Sequence, residues 1–454
     1  STTSREWPSC GSSWNSPASR PGRRDEPISD LLPAPVRLLV KTALRLALLP
    51  ILSSIGCGAQ PAPFALSEAV LVAEGPAGER RWGRYQFPSL DRLLDGRIAL
   101  SFHVNEDSAR AYGRRPAQPD RGVSANVGET WSLEHSTERT AGLLLPNGDR
   151  LIAGRSDVTP TAVPVAELKL PERVGTIIGT YGRLPYTFYR HDDLPDQLRG
   201  VPLARLPAGA GEWRNERAQL FDPGFQRYTI QEVFPVVWWG DLNLASDGSI
   251  VSLVYPRSID GDVACHRSTD FGRSWRLQGR IAYEPDVAAD PLARSRTQGF
   301  TEPGSAFLAD GSLLVMLRTT DGLGIGPLYS SRSADLGKTW TNPVVVNAFG
   351  VMPRLLRLRN GVLVLSYGRP GAEVRFSLDG RGEVWTDPLR LVPAASPDVQ
   401  ADSCGYTSLL AVSDDSFLIA YSWFKRPGDD DLPRKALLVR RVTVRPTSGA
   451  PKTD

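Results

Sequence analysis

The 454-residue sequence predicts an all-β fold, a six-bladed β-propeller of four-stranded antiparallel blades. Three observations predict it: six hairpin signals at a regular spacing, four copies of one short turn pattern, and a composition with 42 Gly, 38 Pro and 11 Trp. Repeated units decide the architecture because each unit must bury its apolar face against the next. A pair of β-sandwiches is the alternative.

Six times along the chain, two apolar runs flank a two-residue turn. The turns are Asp95-Gly96, Asn147-Gly148, Asp247-Gly248, Asp310-Gly311, Asn360-Gly361 and Asp414-Asp415. Asp-Gly or Asn-Gly between alternating hydrophobic runs is the strongest short-range hairpin signal. Four of the intervals between turns span about 50 to 63 residues, which suits one four-stranded sheet each. One interval carries an insertion of about 40 residues, placed roughly at 165–230. It includes the aromatic and charged stretch YGRLPYTFYRHDDLPDQ at 181–197, which is more typical of a loop rim than of a strand.

The second repeat is a turn pattern that ends in Trp. Its copies are SANVGETW at 124–131, STDFGRSW at 268–275, SADLGKTW at 333–340 and SLDGRGEVW at 377–385. A short polar residue followed by Gly suits a tight turn, because Asp or Asn bonds its own backbone and Gly accepts a positive φ. The Trp then anchors the turn in apolar surroundings. Each copy follows one of the hairpins, so we place it on the second hairpin of the same blade.

Composition excludes several classes of function. The net charge of +3 comes without a basic run, so nucleic-acid binding is unsupported. The four His show no metal-ligand spacing, and we predict neither a metal site nor a cofactor. Four Cys are too few for a disulfide scaffold, so we expect Cys265 and Cys404 to be free buried thiols, although they could pair after export.

The amino-terminal region predicts export. Basic residues precede an apolar run at 46–55, which is too short to span a bilayer comfortably and has the order of a secretory signal. Cys57 follows a small residue, and this resembles a bacterial lipoprotein cleavage site with lipid attached to Cys57. Ser54 departs from the Leu usual in such sites, so a plain signal peptide remains the alternative. We expect the bacterial periplasm, an outer-membrane lipoprotein or the extracellular space.

These signals divide the chain into two parts. Residues 1–60 form a leader with the signal, of which 1–36 are treated as disordered or as an over-extended reading frame. Residues 65–445 form the propeller, for which we expect a monomer.

The propeller model predicts which residues meet a ligand. The innermost strand of each blade lines the central channel, so strand ends flanking the first hairpin of each blade converge there. Charged, amide and phenolic residues recur at these ends, although each one alone could be a solvated strand end. They include Gln86, Asp241, Glu302 and Tyr406 before the turns, and His103, Arg155, Tyr255, Arg318, Arg369 and Ser422 after them.

At this point a family resemblance becomes specific. The turn pattern resembles the Asp-box, or BNR repeat, of the sialidase (neuraminidase) superfamily, and the similarity covers roughly residues 65–445. The segments TEPGSAFLADGSLLVMLR, SCGYTSLLAV and YGRPGAEVRFSLDG resemble the family segments that carry its site residues. The resemblance implies that Arg318 and Arg369 bind a substrate carboxylate. It further implies that Tyr406 is the nucleophile and Glu302 its base.

Two positions are less well matched. The family supplies a general acid from the loop after hairpin one, where Asp107 is the nearest match and Asp120 the fallback. The family's first blade carries an Arg where this chain has Gln86, which donates hydrogen bonds but brings no charge. Arg155, from the second blade, could supply the missing charge.

The sequence therefore predicts an exo-glycosidase of the sialidase type. It would hydrolyse a terminal acidic sugar, sialic acid or a related one, from glycans by a retaining mechanism with a Tyr nucleophile. A phenol is suited to this role, since a carboxylate nucleophile would be repelled by the carboxylate of the substrate. A non-catalytic carbohydrate-binding propeller and a polysaccharide lyase on the same scaffold remain the alternatives, because fold alone does not decide function.

Overall fold

Strands make up almost all the regular structure in the part of the chain that the computed structural model describes. That part is residues 63–446, without residues 109–110, 112–115, 137, 154–161, 179–183, 256–257, 296–297, 320–325 and 397. Its helices are short 3-10 turns at Val165–Glu167, His191–Asp193, Asp196–Leu198 and Ala293–Ser295. The protein is all-β, as predicted. The leader predicted at 1–60, with Cys57, lies outside the described residues, and within them no helix is long and apolar enough to cross a membrane.

Thirty strands follow one another along the described residues. The first fifteen are β1 Phe64–Leu66, β2 Val70–Glu74, β3 Gln86–Arg92, β4 Ile98–His103, β5 Arg121–Ser124, β6 Ser132–Glu134, β7 Leu143–Leu144, β8 Arg150–Ala153, β9 Ala162–Pro164, β10 Gly175–Ile178, β11 Pro185–Arg190, β12 Val201–Leu206, β13 Arg214–Phe221, β14 Gln226–Thr229 and β15 Val233–Pro235. The others are β16 Leu242–Leu244, β17 Ile250–Val254, β18 Val263–Ser268, β19 Ser274–Ile281, β20 Phe300–Phe307, β21 Leu313–Thr319, β22 Leu328–Ser333, β23 Val344–Asn347, β24 Val351–Arg357, β25 Leu363–Gly368, β26 Ala372–Ser377, β27 Leu389–Val392, β28 Thr407–Ala411, β29 Ser416–Pro427 and β30 Pro433–Val444.

The strands assemble into groups of four. Three sheets run in chain order, as β3-β4-β5-β6, β20-β21-β22-β23 and β24-β25-β26-β27. An eight-stranded sheet contains two more groups, β7-β8-β12-β13 and β16-β17-β18-β19, joined edge to edge by the parallel pair β13 and β19. In the last large sheet β28, β29 and β30 are completed by β1 and β2, which both pair with β30. Strands from the two ends of the described chain thus share one sheet.

The six predicted hairpins are confirmed. Each predicted turn joins the first two strands of one group, namely β3–β4, β7–β8, β16–β17, β20–β21, β24–β25 and β28–β29. The loops hold three residues rather than two. In the first, Gly96 N donates to Leu93 O at 3.1 Å while Leu93 N donates to Arg97 O at 2.9 Å. This is a type I turn closed by a glycine of positive φ, and it explains why Asp-Gly and Asn-Gly recur.

The prediction that the stretch 181–197 is a loop rim is wrong in part, because Pro185–Arg190 form β11, and the rest of the insertion at 165–230 contains further strands. The segment supplies the two outer strands β12 and β13 of one four-stranded group, and β10, β11 and β14 form a small sheet of their own. Buried residues tie the segment to its neighbour group: Asp222 Oδ2 lies 2.9 Å from His266 Nε2, and Asp222 Oδ1 accepts from Arg280 Nη2 at 2.6 Å. Within the stretch that suggested a loop, Tyr186 and Phe188 are strand residues with buried side chains.

The four Trp-terminated turns connect the third and fourth strands of their groups, as predicted. In the turn after β22, Gly337 N donates to Ser333 Oγ at 2.8 Å, Thr339 N donates to Asp335 Oδ1 at 2.9 Å, and Trp340 Nε1 donates to Gly337 O at 3.1 Å. The Ser, Asp, Gly and Trp of the pattern each make a defined contact. The pattern is therefore a turn-building device.

Apolar clusters lie between neighbouring groups. One cluster combines Leu100 of β4 with Leu418 of β29 and Leu437 of β30, and another combines Leu253 of β17 with Val315 of β21. Some central strands bury both faces and read as apolar runs, such as β21 with the sequence LLVMLRT. Two predicted free thiols, Cys265 and Cys404, are confirmed as unpaired and buried.

Gly337 is expected to tolerate no side chain. Its φ is +88°, and a Cβ would lie 2.1 Å from Cys265 Sγ, so Gly337→Ala combines backbone strain with a clash. We expect a loss of about 2–4 kcal/mol in the free energy of unfolding, measured by urea denaturation. Gly311→Ala is the matched control, since its φ is +81° but a Cβ there meets nothing within 4 Å. Equal losses in both variants would show that the contact with Cys265 does not matter.

Candidate functional site

The first strands of three groups share one irregularity that sets up the site. The pairing register shifts near the start of β3, β20 and β24. At each shift a residue before a Pro has a positive φ, 56° at Phe87, 47° at Glu302 and 42° at Met352. An extra residue in a strand re-aims the side chain, and strained non-Gly residues concentrate at functional sites. The recurring residue-Pro pairs are a sequence signal for this bulge that the hairpin pattern alone does not reveal.

The bulge in β20 brings Glu302 to Tyr406, which directly precedes β28. The Tyr406 hydroxyl donates to Glu302 Oε1. Arg318 Nη1 donates to the same oxygen at 2.7 Å and lies 3.5 Å from the Tyr406 hydroxyl. The other oxygen, Oε2, accepts from Met352 N at 3.0 Å. Residues 16, 50 and 104 positions away from Glu302 thus meet at its carboxylate.

Charges in this cluster favour a neutral phenol beside an ionised carboxylate. Burial raises the pKa of Glu302, but the charge and hydrogen bonds of Arg318, with the bond from Tyr406, outweigh it and leave the pKa below its ordinary value. Burial and then the Glu302 charge raise the pKa of Tyr406 well above its ordinary value, against the pull of Arg318 and Arg369. In the resting cluster the proton therefore stays on Tyr406, and the ionised Glu302 carboxylate is already hydrogen-bonded to the group whose proton it would take.

Arg369 completes the cluster, which we call the Tyr406 cluster: Glu302, Arg318, Arg369 and Tyr406. Its guanidinium carbon lies 5.8 Å from the centre of the Tyr406 ring, and Nε and Nη2 donate to Cys404 O at 3.2 and 2.9 Å. Burial, and next the charge of Arg318, lowers the pKa of Arg369. Two guanidinium groups face one carboxylate here, so the cluster carries an excess positive charge and can receive an anion.

The predicted general acid, Asp107, is held by a residue that the sequence analysis did not single out. Trp82 Nε1 donates to Asp107 Oδ2 at 3.2 Å. The Trp82 ring in turn lies 5.2 Å from the Arg369 guanidinium carbon, and Phe87 lies between Trp82 and the Tyr406 ring, with centroid distances of 6.0 and 4.8 Å. Asp107 is thus connected to the Tyr406 cluster through aromatic rings. Asp120, the fallback, accepts from Ser136 N at 2.8 Å.

The remaining predicted binding residues differ in their placement. Gln86 is fully buried, and neither its amide nitrogen nor its amide oxygen bonds to any residue the structure describes. Asp241 pairs with Arg354, whose Nη1 donates to Asp241 Oδ2 at 2.6 Å. Arg155 lies outside the described residues. Ser422 is buried and accepts from Cys404 N at 3.1 Å, so it supports the backbone instead of facing a ligand.

Among the described residues, no group of three or more His, Cys, Asp or Glu side chains could bind a metal ion. The fold and site together define an all-β protein with a buried Tyr-Glu-Arg cluster at strand ends.

Comparison with known proteins adds structural likeness only. No family model matches the chain, and no curated protein matches it. A protein of unknown function from Dyadobacter fermentans is similar in fold, with a TM-score of 0.53 and 19% identity over 85% of this chain and 100% of that one. Similar structures also include a Trypanosoma rangeli sialidase in complex with 2,3-difluorosialic acid, with a TM-score of 0.42 and 12% identity over 84% of this chain and 58% of that one. A point mutant of the NanB sialidase from Streptococcus pneumoniae has a TM-score of 0.45 and 11% identity over 83% of this chain and 70% of that one.

Proposed function

We propose that this protein is an exo-glycosidase of the sialidase type, which hydrolyses a terminal acidic sugar from glycans with retention of configuration. The observation that carries the proposal is the Tyr406 cluster, in which a neutral phenol donates to a buried, ionised carboxylate beside two guanidinium groups. Core packing does not require such a set of charges, whereas perturbed titratable groups are typical of catalytic sites.

The proposal includes a closed six-bladed propeller. Each group of four strands is one blade, with β3, β7, β16, β20, β24 and β28 innermost. Neighbouring first strands support this order, since β28 packs against β3, β24 against β28, and β20 against β24. The pairing of β1 and β2 with β30 would close the ring. The Tyr406 cluster would then lie where innermost strands converge.

In the first step Tyr406 would attack the anomeric carbon while Glu302 takes its phenolic proton. The bond to the leaving oxygen breaks, and Asp107 donates the proton that this oxygen requires. Water would then cleave the glycosyl-tyrosine bond, giving up a proton to Asp107, while the phenol recovers its proton from Glu302. Two inversions at the anomeric carbon retain its configuration.

Arg318 and Arg369 would hold the carboxylate of the sugar. Guanidinium groups remain charged at neutral pH and present planar, paired donors that match a carboxylate. Arg369 Nη1 is not engaged by the Cys404 carbonyl, which uses Nε and Nη2. An acidic sugar would therefore neutralise the excess positive charge of the cluster.

Replacing Arg369 with Met is expected to weaken substrate binding more than it slows the chemical step. Loss of a charge-assisted hydrogen bond should raise KM for an acidic glycoside about 10- to 100-fold, with a smaller change in kcat. Steady-state kinetics on the cleaved substrate measure both constants. Arg390→Met, an exposed arginine paired with Glu373, is the control and should leave both unchanged. An unchanged KM in Arg369→Met would contradict the binding role.

The proposed activity is tested with 4-methylumbelliferyl sialosides and uronides. We expect the wild-type protein to release the fluorophore from at least one, and proton NMR of the first product formed should show the anomer of the substrate. Turnover no greater than that of Tyr406→Phe on every acidic glycoside would reject the proposal.

Gln86 favours a second candidate function, recognition of a glycan without cleavage. This buried amide brings no charge where the glycosidase type has an Arg, and its two polar atoms bond to no described residue, so the site lacks one of the charged groups that cleavage of an acidic sugar would use. Glycan binding that survives in Tyr406→Phe and Glu302→Ala, with no product from the wild type, would support this candidate over the glycosidase. Isothermal titration with sialylated and uronate oligosaccharides makes the measurement.

A further inference from the structure

Trp82 makes four contacts that together fix its ring. The indole N–H donates to Asp107 Oδ2 at 3.2 Å, and the Arg369 guanidinium carbon lies 5.2 Å from the ring centre. Phe87 and Phe424 meet the ring edge to face, with centroid distances of 6.0 and 6.3 Å. These four neighbours lie in four different strands or loops. The half-buried ring is therefore held by packing, which leaves its N–H little freedom to point elsewhere.

The backbone of Gly83, the residue after Trp82, packs against the loop that carries Asp107. Gly83 has a φ of +95°, and a Cβ there would lie 2.2 Å from Asp107 N and 2.6 Å from Asn105 O. The backbone at Gly83 thus packs directly on residues 105–107. The Trp82 indole contacts the Asp107 carboxylate and the Gly83 backbone contacts the Asp107 backbone, and together they fix the position of Asp107.

We propose that Trp82 is a positioning residue for acid catalysis, which orients Asp107 toward the leaving oxygen of the substrate; this rests on the proposed glycosidase function. As the glycosidic C–O bond breaks, the Asp107 proton passes to the leaving oxygen and a carboxylate remains. The indole N–H donates to that carboxylate and stabilises it as its charge develops. The face of the same ring holds Arg369, so one side chain aligns the acid with the carboxylate-binding group.

The test is Trp82→Phe, which keeps an aromatic ring near Arg369 but removes the N–H. Two glycosides of the released sugar are compared, the 4-nitrophenyl glycoside, whose leaving group needs little protonation, and the methyl glycoside, whose leaving group needs it. We expect kcat/KM to fall about 10- to 100-fold on the methyl glycoside and no more than about threefold on the nitrophenyl glycoside. In an Asp107→Asn background, Trp82→Phe should add no further loss.

Trp213→Phe is the matched control, because Trp213 also lies against a guanidinium, with Arg139 5.9 Å from its ring centre. It should leave both rates unchanged. Equal losses on the two leaving groups in Trp82→Phe, or losses that add to those of Asp107→Asn, would overturn the positioning role while the glycosidase function stands. Failure of the wild type to cleave any acidic glycoside would overturn the proposed function and this inference with it.

Discussion

Replacing Tyr406 with Phe is expected to lower kcat/KM on an acidic glycoside by at least about 1,000-fold, because the variant loses the nucleophile. The ring contacts with Phe87 and Arg369 do not need the hydroxyl, so binding of the glycan should persist. Turnover of the 4-methylumbelliferyl glycoside measures the first effect. Isothermal titration with the released sugar measures the second.

Tyr421→Phe is the control for this change. Tyr421 is buried in β29, opposite Thr407, and its hydroxyl accepts from Arg440 Nε at 3.2 Å, so the same atom is removed from the same sheet. We expect activity within about threefold of the wild type. A Tyr406→Phe variant that retains a tenth or more of wild-type turnover, roughly, would rule out a covalent role for Tyr406.

Arg318→Met is expected to destabilise the fold by about 3–5 kcal/mol at neutral pH, since it leaves Glu302 as a buried charge without its guanidinium partner. The two side chains are almost completely buried, with 6% and 7% of their surfaces exposed, so solvent screens the pair little. Urea denaturation measures the loss. The double variant Glu302→Gln with Arg318→Met removes the buried charge, and it should be more stable than Arg318→Met alone.

The pH dependence of this loss has a definite sign. In the wild type the pKa of Glu302 lies below its ordinary value of 4.5, so its contribution to stability is present above that pH and disappears as the pH falls through the folded-state pKa. Without Arg318, burial is no longer offset and the pKa of Glu302 should rise above its ordinary value. The difference between wild type and Arg318→Met should therefore shrink from about pH 7 to about pH 4. A difference independent of pH would mean that Arg318 contributes by packing alone.

Local turn chemistry could be predicted well from the sequence. Five of the six hairpin turns, Asp95-Gly96 among them, are closed by a glycine of positive φ, and this requirement is met by residues next to each other. The same holds for the Ser333 to Trp340 turn, whose bonds all lie within eight residues. The spacing of the hairpin turns and the Trp-terminated turns along the sequence then predicts groups of four strands. The outer strands β12 and β13 could not be predicted from the hydrophobic pattern, because β13, with the sequence RNERAQLF, is mostly polar and does not form an apolar run.

The candidate site was predictable in part. Glu302, Arg318, Arg369 and Tyr406 were predicted as a set, and the structure brings these four together. Trp82 was not predicted, since its partner Asp107 lies 25 positions away and the contact depends on a loop that no local pattern describes. That no described residue bonds to the Gln86 amide was equally hidden, because no sequence pattern records which buried groups go unpaired.

By itself the sequence determined the turns, the hairpins and the all-β class, because these depend on the φ preferences and hydrogen bonds of neighbouring residues. The tertiary structure decided which distant side chains share a carboxylate, and whether a phenol beside it is neutral. Those properties follow from burial and from charges that meet only when separate strands pack together. The Tyr406 hydroxyl and Glu302, 104 positions apart, are the clearest instance.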